Sequence, residues 1–164
     1  MTTKSDYTPE EWKSVVAAPY YAGSLIILAD INFAYFKEVA ALARAVTDSA
    51  AQSDSDLIKA VAVDFVSKEA QSEIKPELDK MKGEKDPAAL KQAMVDYVRS
   101  ATDLVAAKSA QDGQDYSQWL VHLAQATAEG SKEGGFLGIG AVRVSDTEQA
   151  ALDELSETLG VSAA

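Results

Sequence analysis

Glycines concentrated near the end of the chain form a segment that could bind a ligand or contact another protein. Five of the nine glycines fall between residues 130 and 140, around three apolar side chains. Because glycine permits backbone conformations and close approaches that other residues forbid, such a loop can cradle a phosphate group or present apolar side chains to a partner. We predict a partner-binding loop made of Phe136, Leu137, Gly138, Ile139 and Gly140.

Two other interpretations of this loop stay open. The order Gly-Gly-x-x-Gly-x-Gly is neither the dinucleotide-binding nor the P-loop fingerprint, and it lacks the lysine and serine that close a P-loop. It also follows a predicted helix instead of a strand, so the spacing gives ligand binding little support. The remaining alternative is a structural loop whose apolar side chains pack on helices of the same chain.

His122 is the only histidine, and the chain has no cysteine. The lack of cysteine excludes disulfides, zinc ribbons, iron–sulfur clusters and thiol catalysis, and a single histidine excludes a mechanism that pairs two histidines within one chain. His122 shares a polar helical face with Asp115, Gln118, Gln125 and Glu129. We expect a solvated imidazole there, because a titratable group without an identified partner seldom marks catalysis.

Oxygen ligands near predicted helix ends are the remaining candidates for a metal site. Calcium and magnesium prefer such ligands, and the candidates are Asp30, Asn32, Glu129 and Glu133. The sequence has neither EF-hand spacing nor the Glu-x-x-His elements of di-iron bundles, and acidic residues at helix ends also act as caps or solvated charges. Whether a metal binds is therefore left open, and we expect no cofactor.

The bulk composition bounds the class of protein and its partners. A chain of 164 residues, 47% of them hydrophobic, has the usual size for one domain with its own core. We predict a single helical domain over residues 1–164, with residues 1–7 and 161–164 as flexible ends.

The net charge of −11 repels phosphate backbones and anionic lipids, so we expect neither nucleic acid nor a membrane as partner. Residues 1–11 do not resemble a secretory signal, which predicts a cytoplasmic protein.

The longest nearly uncharged stretch covers residues 14–36. A membrane-spanning helix needs about 20 apolar residues, but Pro19, Gly23 and Asp30 interrupt this stretch and no basic cluster flanks it. We therefore predict a buried hairpin. Because Pro19 lacks an amide hydrogen, we expect the first helix to end or kink before Tyr20.

Cap residues mark where several helices begin. Residues 8–9 and 86–87 each combine a cap with a proline at the first helical position. Residues 145–148 form a capping box, and residues 53–56 supply further caps. Gly160 is a typical end for the last helix.

Between these signals, apolar residues recur every three or four positions, which is typical of amphipathic helices. The clearest stripe covers residues 90–105, and we expect it to lie on a central helix. Gly113 is predicted to lie in a turn, and Pro76 and Gly83 to break residues 68–85 into a short helical turn. The predicted fold class is all-α: a single-domain bundle of six to seven helices with a glycine-rich loop before the last helix.

Residues 127–160 resemble the hairpin of tellurite-resistance (TerB-like) helical domains, and uncharacterised bacterial helical proteins with a Gly-Phe-Leu-Gly loop. The similarity lies in an alanine-rich helix end, a glycine loop, the run Val-Ser-Asp-Thr-Glu from Val144, and a leucine-striped helix ending at Gly160. It covers about the last fifth of the chain, and residues 131–144 replace the short Asp-Gly turn of that family. The resemblance implies an all-helical fold and, as in some members, metal ions held by acidic residues at helix ends.

The sequence contains no Gly-x-Ser-x-Gly nucleophile elbow and no nucleotide-binding loop. We therefore predict a non-enzymatic helical bundle that acts through protein–protein contact or self-association, with a protein partner or a homo-oligomer. The alternatives are a TerB-like, stress-related protein that binds a small ligand or a metal ion, and a peripheral membrane protein. An enzyme whose acid–base groups lie in the bundle without a local motif also stays open.

Overall fold

The computed structural model describes residues 1–29, 35–81, 86–130 and 144–161, which form a bundle of α-helices with no strand among them. A short 3-10 helix, Lys4–Asp6, precedes seven α-helices in this part of the chain. The α-helices are α1 (Pro9–Ala29), α2 (Tyr35–Gln52), α3 (Asp56–Phe65), α4 (Lys68–Met81), α5 (Pro87–Lys108), α6 (Ala110–Gly130) and α7 (Asp146–Leu159). The predicted all-α bundle is confirmed.

The predicted cap residues begin four of these helices. At α1 the backbone N–H of Thr8 donates to Glu11 Oε2 at 2.8 Å, and the backbone N–H of Glu11 donates to Thr8 Oγ1 at 3.2 Å. Ser55 and Asp86 each accept a backbone N–H bond at the starts of α3 and α5, and Ser145 opens α7 with its capping box. These bonds satisfy N–H groups that have no partner within the helix.

Helix α1 continues through Pro19, so of the two predicted outcomes, an end or a kink before Tyr20, the end is wrong. A proline inside a helix removes the N–H that would donate to the carbonyl four residues earlier, which costs about 3 kcal/mol. In α1 that carbonyl belongs to Val15, and the hydroxyl of Tyr116 on α6 donates to it at 2.5 Å. Both residues are fully buried, where an unpaired carbonyl is costly. Helix α6 thus supplies a hydrogen bond that the α1 backbone lacks.

Most of the uncharged stretch predicted as a buried hairpin lies in α1, and most side chains between residues 15 and 27 are buried. The chain between α1 and α2, residues 30–34, lies outside the described residues, while the two helices contact each other beyond it. None of the described helices combines the length and apolar content needed to cross a bilayer.

The centre of the core lies among α1, α5 and α6, which contact one another most extensively. The predicted stripe on α5 is confirmed, because Met94, Val98 and Val105 are buried there. Helix α7 packs on all three central helices through side chains such as Leu152 and Leu155. Burial of side chains of this size is the main favourable term in folding.

Gly113 lies inside α6 and not in a turn as predicted. The break between α5 and α6 falls at Ser109 instead. A Cβ atom on Gly113 would lie 2.5 Å from Cβ and 2.6 Å from Cα of Ala106 on α5. Glycine is needed at this position because the two helices approach too closely for any side chain.

Helix α4 runs unbroken over Lys68–Met81 and contains Pro76, so the predicted short helical turn is wrong. The carbonyl that this proline leaves without a helical partner belongs to Ser72, which is exposed. Water can bond to an exposed carbonyl, so the proline costs less here than in a buried helix. Gly83 lies outside the described residues.

Residues 1–7, predicted as a flexible end, pack against the bundle. Thr2 is buried, its backbone N–H donates to the Asp112 carboxylate of α6, and its hydroxyl lies 3.0 Å from the hydroxyl of Tyr7. The ammonium of Lys4 lies 2.6 Å from Asp64 Oδ2 on α3. The Asp112 side chain is only 2% exposed, so its hydrogen bonds replace those that water would make.

Asp112 makes part of the stability dependent on pH. Burial raises the pKa of this carboxyl, but hydrogen bonds from Thr2 and the positive N-terminus together outweigh burial and lower the pKa. A carboxyl with a lowered pKa stabilises the fold above its unfolded-state pKa of about 3.9, and this contribution is lost as the pH falls through the folded-state pKa.

We expect Asp112→Asn to lower the free energy of unfolding by about 1 kcal/mol at neutral pH, since the charge-assisted hydrogen bond is lost. Below about pH 4 the variant should lose less stability than the wild type, because it has no carboxyl to protonate at this position. Urea unfolding measured across this pH range checks the prediction. An acid-induced loss as steep in the variant as in the wild type would contradict it.

Candidate functional site

A groove lies between the second half of α2, the start of α3 and the middle of α6, and we call it the α2–α6 groove. Its volume is about 730 Å³, within the range of ligand-binding sites. The apolar part of its lining is buried or half-buried and consists of Ala45, Ile58, Trp119 and Ala126. The more exposed polar part includes Asp48, Gln52, Asp54, Asp115, Gln118 and His122.

Trp119 holds α2 and α6, the two main walls of the groove, against each other. Its indole Nε1–H, on α6, donates to Ser49 Oγ of α2 at 2.8 Å. The Ser49 hydroxyl in turn donates to the Ala45 carbonyl at 2.5 Å. On the core side, the Trp119 ring packs against Tyr116 with ring centroids 5.8 Å apart. Because the indole is held by a hydrogen bond and by packing, the groove is preorganised.

The turn between α2 and α3 closes one end of the groove. The backbone N–H of Ser53 donates to the Ala50 carbonyl at 3.2 Å, and the backbone N–H of Ser55 donates to Ser53 Oγ at 3.1 Å. Ser55 Oγ then accepts the N–H of Ile58 in the first turn of α3. These local bonds order the turn and leave the side chain of Asp54 exposed between them.

The groove is negatively charged. Asp48, Asp54 and Asp115 line it, whereas none of its lining residues that the structure describes is a lysine or an arginine. Asp115 accepts a hydrogen bond from Gln111 Nε2 at 2.8 Å. Within the part of the chain that the structure describes, Asp48 and Asp54 take part in no ion pair, and Arg44, one turn before Asp48, makes none with it. Three carboxylates without a cation give the groove a negative potential.

The groove residues that the structure describes do not form a catalytic pair. His122 is exposed as predicted, and no hydrogen bond joins it to a groove serine among the described residues. The Ser49 hydroxyl is hydrogen-bonded to the Ala45 carbonyl and the Trp119 indole, and the Ser55 hydroxyl caps α3 by accepting from the Ile58 N–H. A serine nucleophile requires a base within hydrogen-bond reach, so this arrangement supports binding better than acyl transfer.

The structure bears on few of the other predicted site residues. The loop at residues 136–140 lies outside the described residues, as do the metal candidates Asp30, Asn32 and Glu133. Glu129, the fourth candidate, is exposed near the end of α6 and accepts a hydrogen bond from Gln125 at 3.2 Å. The described residues contain no group of three His, Asp or Glu side chains placed to hold a metal ion.

Asp115, Gln118 and His122 were predicted to share one helical face, whereas the residues across the groove were not predicted. Asp48 and Asp54 carry no motif, and each looks like an ordinary exposed acid in its own segment. What brings them opposite His122 is the packing of α2 on α6, which the Trp119–Ser49 bond fixes across 70 positions of sequence. A local pattern contains no signal for that pairing.

Comparison with known proteins gives no relative for this chain. The TerB-like resemblance of residues 127–160 rests on their sequence pattern, and most of the glycine loop within it lies outside the described residues, so the resemblance stays a prediction. No protein-family model, no curated protein and no solved structure matches the chain.

Proposed function

We propose that this chain is a non-enzymatic helical bundle that acts through protein–protein contact, and that the α2–α6 groove is part of the contact surface. The observation that carries the proposal is the groove itself, an ordered cleft of about 730 Å³ whose apolar lining is bordered by exposed polar side chains. Interfaces share this arrangement of an apolar centre and a polar rim. The partner is a second protein or a second copy of the chain, in the predicted cytoplasmic location.

Trp119 gives the groove a rigid floor, since its side chain is only 6% exposed and belongs to the core. Its indole is held in place before binding by Ser49, so a partner need not order it, which lowers the entropic cost of association. The predicted partner-binding loop at residues 136–140 is proposed as a second contact element.

Site-specific photo-crosslinking tests the proposal. A benzophenone amino acid replaces Gln118, an exposed residue of the groove, and in a matched control it replaces Gln92, an exposed residue of α5 outside the groove. We expect a discrete adduct, of the chain with a partner or with itself, from position 118 in native cell extract. Position 92 should give at most about a tenth of that yield, because the crosslinker reacts only with what it touches. Equal yields from the two positions, or no adduct from position 118, would refute the proposal.

A further inference from the structure

The carboxylates of the α2–α6 groove select the charge of its occupant. Asp48, Asp54 and Asp115 line the groove, no lysine or arginine stands among the described lining residues, and the whole chain has a net charge of −11. Bringing an anionic group into this groove would be opposed by repulsion, whereas a cationic group would find a complementary potential. The group that binds in this groove is therefore expected to be positively charged.

The apolar lining selects the shape of that cation. Ile58 and Trp119 are buried in the lining, and the carboxylates lie at its more exposed part. Lysine and arginine side chains match this arrangement of apolar and acidic lining, because an apolar stem of three or four methylene groups ends in a charged head. The stem can pack on Ala45 and Ala126, the half-buried apolar residues of the lining, while the head stays at the carboxylates and in contact with water.

Resting on the proposed protein-contact function, we propose that the α2–α6 groove binds a segment of a partner protein through an arginine or lysine side chain. A bare metal ion fits the groove less well, because the described residues offer no group of three acidic or histidine ligands. A second copy of this chain also fits less well, because it carries the same charge of −11 and adds repulsion.

The test is an array of immobilised nonapeptides with degenerate flanks, in which the central residue is fixed in turn as arginine, lysine, norleucine, glutamine or glutamate. The 164-residue chain is applied at low ionic strength. The groove variant carries Asp48→Asn, Asp54→Asn and Asp115→Asn together, and each single substitution is applied as well. The control variant carries Asp96→Asn, Asp103→Asn and Asp153→Asn, three exposed acids outside the groove that change the net charge by the same amount.

We expect peptides centred on arginine or lysine to bind the wild type about fivefold more strongly than those centred on norleucine or glutamate, since exposed ion pairs are individually weak. The groove variant should lose this preference and the control variant keep it, while the circular dichroism of both matches the wild type. Single substitutions should each remove part of the preference, which keeps the test informative if the triple groove variant is misfolded.

Three results would overturn the inference. An equal loss of preference in the groove and control variants would assign the effect to net charge, and an array without preference for basic centres would assign the groove another occupant. Free arginine amide competing as strongly as an arginine peptide would also contradict a peptide-binding groove. If the array shows no preference while position 118 still gives its specific crosslink, only this inference fails and the protein-contact function stands.

Discussion

Tyr116→Phe is expected to lower the free energy of unfolding by about 2 kcal/mol, because it leaves the buried Val15 carbonyl without a hydrogen bond. The loss should depend on Pro19. In a Pro19→Ala background the new amide N–H can donate to the Val15 carbonyl, so Tyr116→Phe should cost at least about 1 kcal/mol less. Urea unfolding of the four proteins of this double-mutant cycle gives the coupling.

Tyr7→Phe provides the matched control for that cycle. Tyr7 is buried and its hydroxyl lies 3.0 Å from the Thr2 hydroxyl, whereas the Tyr116 hydroxyl donates to the Val15 carbonyl. The cost of Tyr7→Phe should be the same with proline or alanine at position 19, since sites that share no hydrogen-bond partner are additive. A Tyr116→Phe cost that is equally independent of position 19 would show that the hydroxyl does not compensate for the proline.

Gly113→Ala is expected to destabilise the protein by about 3 kcal/mol, although the same change at an open helix position stabilises by up to about 1 kcal/mol. The sign reverses because the new Cβ would lie 2.5 Å from Cβ of Ala106, and α5 and α6 must move apart to accept it. Thermal and urea unfolding measure the change.

Two further variants separate the clash from a general effect on α6. Gln114→Ala changes the exposed neighbour of Gly113 and should change stability by less than about 0.5 kcal/mol. Adding Ala106→Gly to Gly113→Ala removes one of the two clashing atoms and should restore part of the loss, because the Ala106 Cα stays 2.6 Å away. A stabilising Gly113→Ala would mean that the two helices are not this close.

The helix starts could be predicted from sequence because their causes are local. Ser55, Asp86 and Ser145 cap helices through bonds to residues two or three positions later, and such bonds depend on little beyond the neighbouring chain. The stripe on α5 could be predicted for a similar reason, since helical periodicity fixes which side chains share a face.

The errors at Pro19 and Gly113 have non-local causes. At Pro19, the hydroxyl of Tyr116, 101 positions from Val15, supplies the hydrogen bond that the proline removes from α1. Glycine is compatible with both a turn and a close helix approach, and only the position of Ala106 shows that the second applies. The α2–α6 groove could not be predicted for the same reason. It depends on the packing of α2 against α6, where the Trp119 indole donates to Ser49.

The most direct test of the groove as a binding surface is nitrogen–proton NMR of the two tryptophan indoles. Trp119 lines the groove, whereas Trp12 donates its indole N–H to Asp64 Oδ2 at 2.7 Å on another part of the bundle and serves as an internal control. Addition of the best-binding arginine peptide should shift the Trp119 indole signal in a saturable manner and leave the Trp12 signal in place. A shift of Trp12 alone, or saturation of binding without a change at Trp119, would contradict the assignment of the groove as the contact surface.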